Sequence, residues 1–191
     1  FTVPAQAVKQ KFEHSGLPAD RITVLGSARF CDEWLRIYHN ILPPQQAPPV
    51  SGKLKVVYMD HGPQYRVNAD EIVEALKEVS KLGFVDLIVK VSPRGHLSDQ
   101  RLREFCRLDS TTHSIHLIKW ADAIITFMSS IVLEAYFHKK VFIYPAYFHQ
   151  STMHWEEYGA CWNVANLSDL LLALRSLHEG SAAPPYSDEN S

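Results

Sequence analysis

One segment limits the folds open to this chain more than any other: His113 to Ala146, HSIHLIKWADAIITFMSSIVLEAYFHKKVFIYPA. In it a β-rich run, Asp122 to Phe127, meets a pair of serines, Ser129 and Ser130. A stretch of good helix formers with one carboxylate, Glu134, follows, and a second apolar run, Val141 to Tyr144, stops at Pro145. Strand, turn, helix and strand in so short a length predict a βαβ crossover, the connection that parallel strands require.

The same alternation extends over most of the chain. Leu54 to Met59 reads as a strand, Asp60 to Pro63 as a loop, and Ala69 to Leu82 as a helix with Ile72, Val73, Leu76 and Val79 in register. Phe84 to Val91 is a second strand, followed by the loop Ser92-Pro93-Arg94-Gly95. Ser98 is expected to cap a helix running through Leu108, and Ser114 to Trp120 to form another short helical turn. After the organising segment, Cys161 to Val164 is a last strand and Leu167 to His178 a leucine-rich helix opened by Asn166 or Ser168. Alternation of this kind predicts an α/β fold, a Rossmann-like doubly wound parallel sheet that binds ligands at the carboxyl ends of its strands.

Ahead of this lies a different region. Short strands are expected at Phe1 to Pro4 and Arg21 to Leu25, with a helix from Ala5 to Ser15 and another from Arg29 to Leu42 anchored by Trp34 and Ile37. The run Pro43-Pro44-Gln-Gln-Ala-Pro48-Pro49 suits a linker. We therefore expect residues 1–50 to be an inter-domain segment and linker, 51–180 the Rossmann-like domain, and 181–191 a disordered tail. The chain opens on Phe rather than Met, which suggests a piece of a longer protein.

Four strand-end loops carry candidate chemistry: His61-Gly62, Ser92-Pro93-Arg94, Ser129-Ser130 and Tyr147 to His149. In a parallel sheet all four converge on one edge. Ser130 is expected to cap its helix, and a helix start bearing two small hydroxyl residues offers N–H groups and a dipole to an anion such as phosphate. Glu134 is placed one turn on, on the same face, where a carboxylate accepts bonds from vicinal hydroxyls such as those of a ribose. Phosphate donors and a diol acceptor together describe a nucleotide; the plainer reading is a capped helix with an exposed glutamate. Arg94 would add a phosphate contact, Gly62 would let backbone approach a ligand, and His116 could touch a base or sugar. Trp120, Phe127, Leu133 and Phe137 are assigned to the core.

Other chemistries find less support. With a formal charge of −2 in 191 residues, the chain lacks the electrostatic footprint of a nucleic-acid binder. No apolar run reaches the ~18 residues of a membrane span. Three widely spaced cysteines frame neither disulfides nor a zinc site, which suits a reducing cytosol. There is no G-x-x-x-x-G-K, G-x-G-x-x-G, G-x-S-x-G or H-E-x-x-H, and no Asp-x-Asp to clamp a metal on a diphosphate. His149, His154, Glu156 and Glu157 share a polar loop but match no ligand spacing, so no metal is expected.

Ile22-Thr-Val-Leu-Gly-Ser-Ala-Arg29-Phe30, Leu87 to Arg94 and, above all, W-A-D-A-I-I-T-x-x-S-S-I-V-L-E-A resemble the C-terminal, nucleotide-sugar-binding half of bacterial glycosyltransferases of GT-B architecture. The likeness is to the capsule and surface-polysaccharide group and the related glycerophosphotransferases, and covers most of residues 20–165. It implies donor-phosphate contacts from Ser129 and Ser130, a ribose or sugar contact from Glu134, and Arg94 near the phosphates. Where the family often has His-Pro-Arg this chain has Ser92-Pro93-Arg94, which removes one phosphate or leaving-group contact. The resemblance implies a metal-independent transferase acting from a UDP- or CMP-linked sugar on a glycan or lipid-linked acceptor, in the cytoplasm or at the inner face of the membrane. A separate N-terminal domain would supply the catalytic base, so this piece alone would bind nucleotide and transfer nothing. Two alternatives stand beside it: a nucleotide-sugar epimerase of the UDP-N-acetylglucosamine type, and a non-catalytic interaction module.

Overall fold

The computed structural model describes residues 1–44, 48, 52–61, 67–92, 99–127, 129–150 and 159–184. The chain divides into two compact units, Phe1–Pro44 and Gln45–Ser191.

In the first unit β1 (Thr2–Val3) pairs in parallel with β2 (Thr23–Val24), joined through α1 (Gln6–His14), and α2 (Asp32–Ile41) follows. Val3, Ile22 and Leu35 are buried. Trp34 and Ile37, expected to anchor α2, are instead 42% and 53% exposed. With Ile41 they form a stripe at spacings of three and four residues. Helical periodicity identifies such a stripe but not what covers it.

The second unit is built on a six-stranded, all-parallel sheet in the order β5-β4-β3-β6-β7-β8. Its strands are β3 (Leu54–Met59), β4 (Val85–Lys90), β5 (Arg107–Asp109), β6 (Ala123–Ile125), β7 (Val141–Pro145) and β8 (Trp162–Val164). The helices are α3 (Ala69–Ser80), α4 (Asp99–Arg103), α5 (Ser114–Trp120), α6 (Ile131–Phe137) and α7 (Leu167–Glu179). Alternate side chains of the central strands feed two apolar layers, so the strands read as continuous hydrophobic runs. Val56, Tyr58, Leu87, Val89, Ala123 and Ile125 pack under α3 and α7, whereas Val57, Met59, Ile88 and Ile124 meet Leu117, Ile118 and Trp120 of α5 and Ala135 of α6. The sheet is thus doubly wound, as the sequence predicts.

Asp122 sets the register between the two halves. Its Oδ2 accepts from the backbone N–H of Lys55 at 2.9 Å, its own N–H donates to the Lys55 carbonyl at 2.8 Å, and the Lys55 ammonium lies 3.5 Å from Oδ1. All of this is at the amino ends of β3 and β6. At the other extreme, α7 starts on Asn166, whose Oδ1 accepts from Asp169 N–H at 2.9 Å while its Nδ2 donates to the Asp169 carboxylate at 3.0 Å. It ends on Gly180 at φ 61°, a left-handed cap with Ser181 N–H returned to the Ser176 carbonyl.

The helix expected to run through Leu108 stops at Arg103, and Arg107–Asp109 forms the edge strand β5 against Ile88–Lys90. Pairing with a ready strand edge overrides the helical preference of Arg107 and Leu108. Leu133 and Phe137, expected in the core, are 42% and 43% exposed. Only Val132, Glu134 and Ala135 of α6 are buried, so the helix has a narrow inner stripe. Trp120 and Phe127 are core residues as expected.

Candidate functional site

The chain leaves β3 for β4 and β5 on one side, then returns to place β6 on the other. The carboxyl ends of β3 and β6 therefore flank the switch point, where an open α/β sheet leaves a crevice.

From β3 come Asp60 and His61, and the Asp60 side chain is almost wholly out of water. Its Oδ1 lies 3.3 Å from His61 Nδ1, and its Oδ2 accepts from Ser92 N–H at 3.4 Å. Asp60 also donates its backbone N–H to the Lys90 carbonyl at 3.0 Å, so it ties the exits of β3 and β4 together. Tyr58 Oη approaches His61 Nδ1 at 3.4 Å, and its phenol is held well above the usual range by burial, then by the charge of Asp60. From β6, Thr126 Oγ1 donates to the Met59 carbonyl at 3.4 Å. Phe127 lies between two histidine rings, His61 at 4.8 Å and His149 at 4.9 Å between centroids. From β7, a 3-10 turn (Ala146–Phe148) buries Phe148 edge-on to Tyr58 and Phe127 and leads to His149, which meets Tyr144 Oη at 2.9 Å. Three strand exits thus share an apolar, histidine-bearing floor.

The serines behave differently from expectation. Ser129, not Ser130, supplies the capping side chain of α6: its Oγ accepts from Ile131 N–H at 3.3 Å and its carbonyl from Val132 N–H at 3.2 Å. Ser130 already has helical backbone angles (φ −62°, ψ −9°), not the extended ones of a capping residue, and its side chain makes no cap hydrogen bond. It is exposed at the helix start, and Ser129 is half-buried. Glu134 is only 6% exposed, so the solvated-glutamate reading fails.

On the other flank, Asp109 ends β5 in a tight turn. Its Oδ1 accepts from Thr111 and Thr112 N–H at 3.0 and 2.7 Å, and its Oδ2 accepts from the Thr112 hydroxyl at 2.6 Å. Burial pushes this carboxyl up, but the Thr112 and Thr111 bonds and the Lys90 charge outweigh it and hold it below the usual value. Lys90 is pushed down by burial, against the pull of Asp109. The turn delivers His113 as the N-cap of α5, with its Nδ1 accepting from Ile115 N–H at 3.3 Å, and His116 follows with its ring 6.4 Å away, edge to face.

Of the residues expected from sequence, the structure places His116 at the first turn of α5 and Ser129, Ser130 and Glu134 at the start of α6; these two helices pack side by side. Gly62 and Arg94 lie outside the described residues, as do His154, Glu156 and Glu157. Sequence reasoning passed over Asp60, Asp109 and His113, and had His61 only as part of a strand-end loop. The signal for His113 was the H-S-I-H spacing, which puts two imidazoles on one helix face. Among the described residues no group of three or more His, Cys, Asp or Glu could hold a metal ion, and no helix is long and apolar enough to cross a membrane. The arrangement as a whole offers hydroxyls, imidazoles and the buried carboxylates of Asp60 and Glu134 around an apolar floor, a set suited to a polar organic ligand.

Fold and strand order together define a Rossmann-like half of the GT-B type. No family model and no curated protein matches the sequence. Among solved structures the chain is similar to the UDP-GlcNAc 2-epimerase of Methanocaldococcus jannaschii, at 18% identity over 100% of this chain and 58% of that one, with a TM-score of 0.60. It is similar also to the UDP-GlcNAc 2-epimerase of Neisseria meningitidis bound to UDP-GlcNAc (12% identity, 99% of this chain and 58% of that one, TM-score 0.65). A third is the UDP-N-acetylglucosamine 2-epimerase of Rickettsia bellii (17%, 93% and 50%, TM-score 0.60). At these identities the likeness is one of fold. The chain spans 50–58% of the length of these proteins.

Proposed function

We propose that this chain is the nucleotide-sugar-binding half of a glycosyltransferase that works without a metal, and that the ligand lies in the crevice between the exits of β3 and β6. One observation carries the reading: Glu134 is a buried carboxylate just beyond a serine-capped helix start, beside the switch point. A carboxylate at that place can accept hydrogen bonds from the vicinal hydroxyls of a ribose. The helix start and Ser130 would face the phosphates, with Arg94 joining them by resemblance. Catalysis by this half would be electrostatic, through stabilisation of the departing nucleotide phosphate. The acceptor, a glycan or lipid-linked saccharide, and the base that activates it would belong to a preceding domain.

A second reading, epimerisation of a UDP-sugar, is favoured by the solved structures of similar fold, one of which holds UDP-GlcNAc and UDP. Titration calorimetry with UDP, CMP, CDP and GDP, with and without EDTA, tests the shared premise. Binding of one of them, unaffected by chelation and weakened ~5- to 100-fold in Ser129→Ala/Ser130→Ala, is expected. Failure to bind any nucleotide would leave the interaction-module reading. Incubating the full protein with a UDP-sugar separates the other two, since an epimerase converts the sugar without acceptor and a transferase does not.

A further inference from the structure

The crevice uses one edge of the six-stranded sheet, and the opposite edge carries chemistry of its own. There the chain enters β3, β6 and β7 side by side: Asp122 N–H donates to the Lys55 carbonyl at 2.8 Å, and Val141 N–H donates to the Asp122 carbonyl at 3.3 Å. Lys55 alternates with Val57 and Met59, so its side chain lies on the α5 and α6 side of the sheet. Five lysines meet at this end: Lys53 and Lys55 at the start of β3, Lys119 in the last turn of α5, and Lys139 and Lys140 in the turn from α6 into β7. Two carboxylates lie among them, Asp122 at 3.5 Å from the Lys55 ammonium and Asp86, the register partner of Lys55 on β4. Lys53, Lys119 and Lys139 are exposed. A chain with a formal charge of −2 thus has a positive edge.

Two further features set this edge apart. Phe137, the last residue of α6, is 43% exposed beside the lysine pair, and Leu133, one turn back on the same stripe, is 42% exposed. The other feature is the backbone of Lys139, which at φ 52° is the one non-glycine in the left-handed region among the described residues. The end of α7 has the same bonding pattern built on a glycine. Gly180 N–H returns to the Leu177 carbonyl and Ser181 N–H to that of Ser176, just as Lys139 N–H returns to Tyr136 and Lys140 N–H to Ala135. A lysine at this position is strained where glycine is not. Attraction to the carboxyl-terminal dipoles of α5 and α6 favours Lys119 and Lys139, but any place in the last turn would satisfy it, and it leaves the exposed phenylalanine unexplained.

We propose that this edge is a docking surface for an anionic lipid bilayer, with Lys53, Lys119, Lys139 and Lys140 against the headgroup phosphates and Phe137 in the interfacial layer. Stable peripheral attachment takes two signals, one apolar and one basic, and the edge holds both. A stack on nucleic-acid bases would use the phenyl ring but leave Leu133 without a role, whereas a bilayer takes the whole stripe. The inference is independent of what the crevice binds. Because the crevice lies at the carboxyl ends of the same strands, it stays open to solvent while the amino-end edge is docked.

Co-sedimentation of the chain with vesicles tests this, using phosphatidylcholine alone and phosphatidylcholine mixed with phosphatidylglycerol, at low and high salt. The chain should pellet only with the mixed vesicles, and less so as salt rises. Lys139→Gly should weaken partitioning by about three- to tenfold while the melting temperature holds or rises, because glycine takes the left-handed turn without strain. This opposition separates a docking role from a structural one. Phe137→Ser should also cost about three- to tenfold. Lys77→Gln/Lys81→Gln, on α3 across the sheet, removes the same kind of charge and should change partitioning by less than about twofold. No pelleting with the mixed vesicles at low salt overturns the inference, and so does an equal loss in the α3 variant, which would reduce the effect to overall charge. If Phe137→Ser changes nothing and polyuridylate displaces the chain from vesicles through the same lysines, the edge is a nucleic-acid surface and the bilayer assignment falls.

Discussion

Replacing Tyr144 with Phe deletes one oxygen from the floor of the crevice and leaves the ring in place. Tyr144 is 3% exposed and its partner His149 8%, with Oη and Nε2 2.9 Å apart. The bond is therefore made out of water, and Tyr144→Phe takes a good partner from a buried nitrogen. Such a loss costs about 1–3 kcal/mol, more than the ~1 kcal/mol net worth of an average hydrogen bond, because the imidazole stays desolvated. In a chain of this size each kcal/mol lowers the melting temperature by about 2–4 °C, so a fall of about 2–12 °C is expected. The His149 ring stacks on Phe127 at 4.9 Å with 22° between planes, so an apolar ring at position 149 can keep that contact. Tyr144→Phe/His149→Phe should then cost less than the sum of the two single changes, by about 0.5–3 kcal/mol. Urea and thermal denaturation followed by circular dichroism measure all four corners of the cycle. A Tyr144→Phe change within about 0.5 kcal/mol of the unmodified chain, or strict additivity in the double variant, would show that the bond does not stabilise the floor.

Asp109 has a folded-state pKa below its ordinary 3.8, so its stabilisation is present above that value and is lost as pH falls through the folded value. Asp109→Asn should lower the urea midpoint at pH 7 and shrink the further drop on going to pH 3; an equal drop in both proteins would contradict the turn's role. Burial pushes the Cys106 thiol up to about 12 and Cys161 is buried, whereas Cys31 is exposed. Ellman's reagent should therefore label one thiol quickly in the native chain and all three only on unfolding. Asp122→Ala removes the side-chain acceptor of Lys55 N–H and should cost about 1–2 kcal/mol, reduced by the partial exposure of the site, whereas Asp122→Asn keeps an acceptor and should cost less than about 1. Neither should change UDP affinity, and a weakened affinity with an unchanged melt would refute that assignment.

The doubly wound sheet was legible because buried parallel strands leave a coarse mark. Leu54 to Met59, Phe84 to Val91 and Val141 to Tyr144 are predominantly apolar runs, and the helices between them keep a clear 3.6-residue period. The edge strand β5 was not legible. It has three residues, carries an arginine and an aspartate, and exists because β4 offers an unpaired edge. Leu133 and Phe137 misled for the opposite reason: apolar identity alone does not tell the inner stripe of a seven-residue helix from its outer face.

The candidate site shows a sharper limit. In the run from Trp120 to Ala135, Asp122 and Glu134 are both single carboxylates in apolar surroundings, and the sequence marks only Glu134, by its spacing from Ser130. The sheet separates them by direction. Asp122 sits at the amino end of β6, where its bonds to Lys55 fix register, and Glu134 lies past the carboxyl end, where the exits of β3 and β6 diverge. One residue builds the crevice and the other lies beside it. The same argument explains why Asp60 and His113 escaped notice: each follows a strand or turn by one or two residues and belongs to no local motif. Their chemistry arises only when parallel strands bring separate loops to one edge, so a carboxylate after β3 can tie down the exit of β4 and a glutamate of α6 can raise the proton affinity of the imidazole that caps α5. What the chain can bind is therefore decided by strand order, a property no single stretch of the sequence contains.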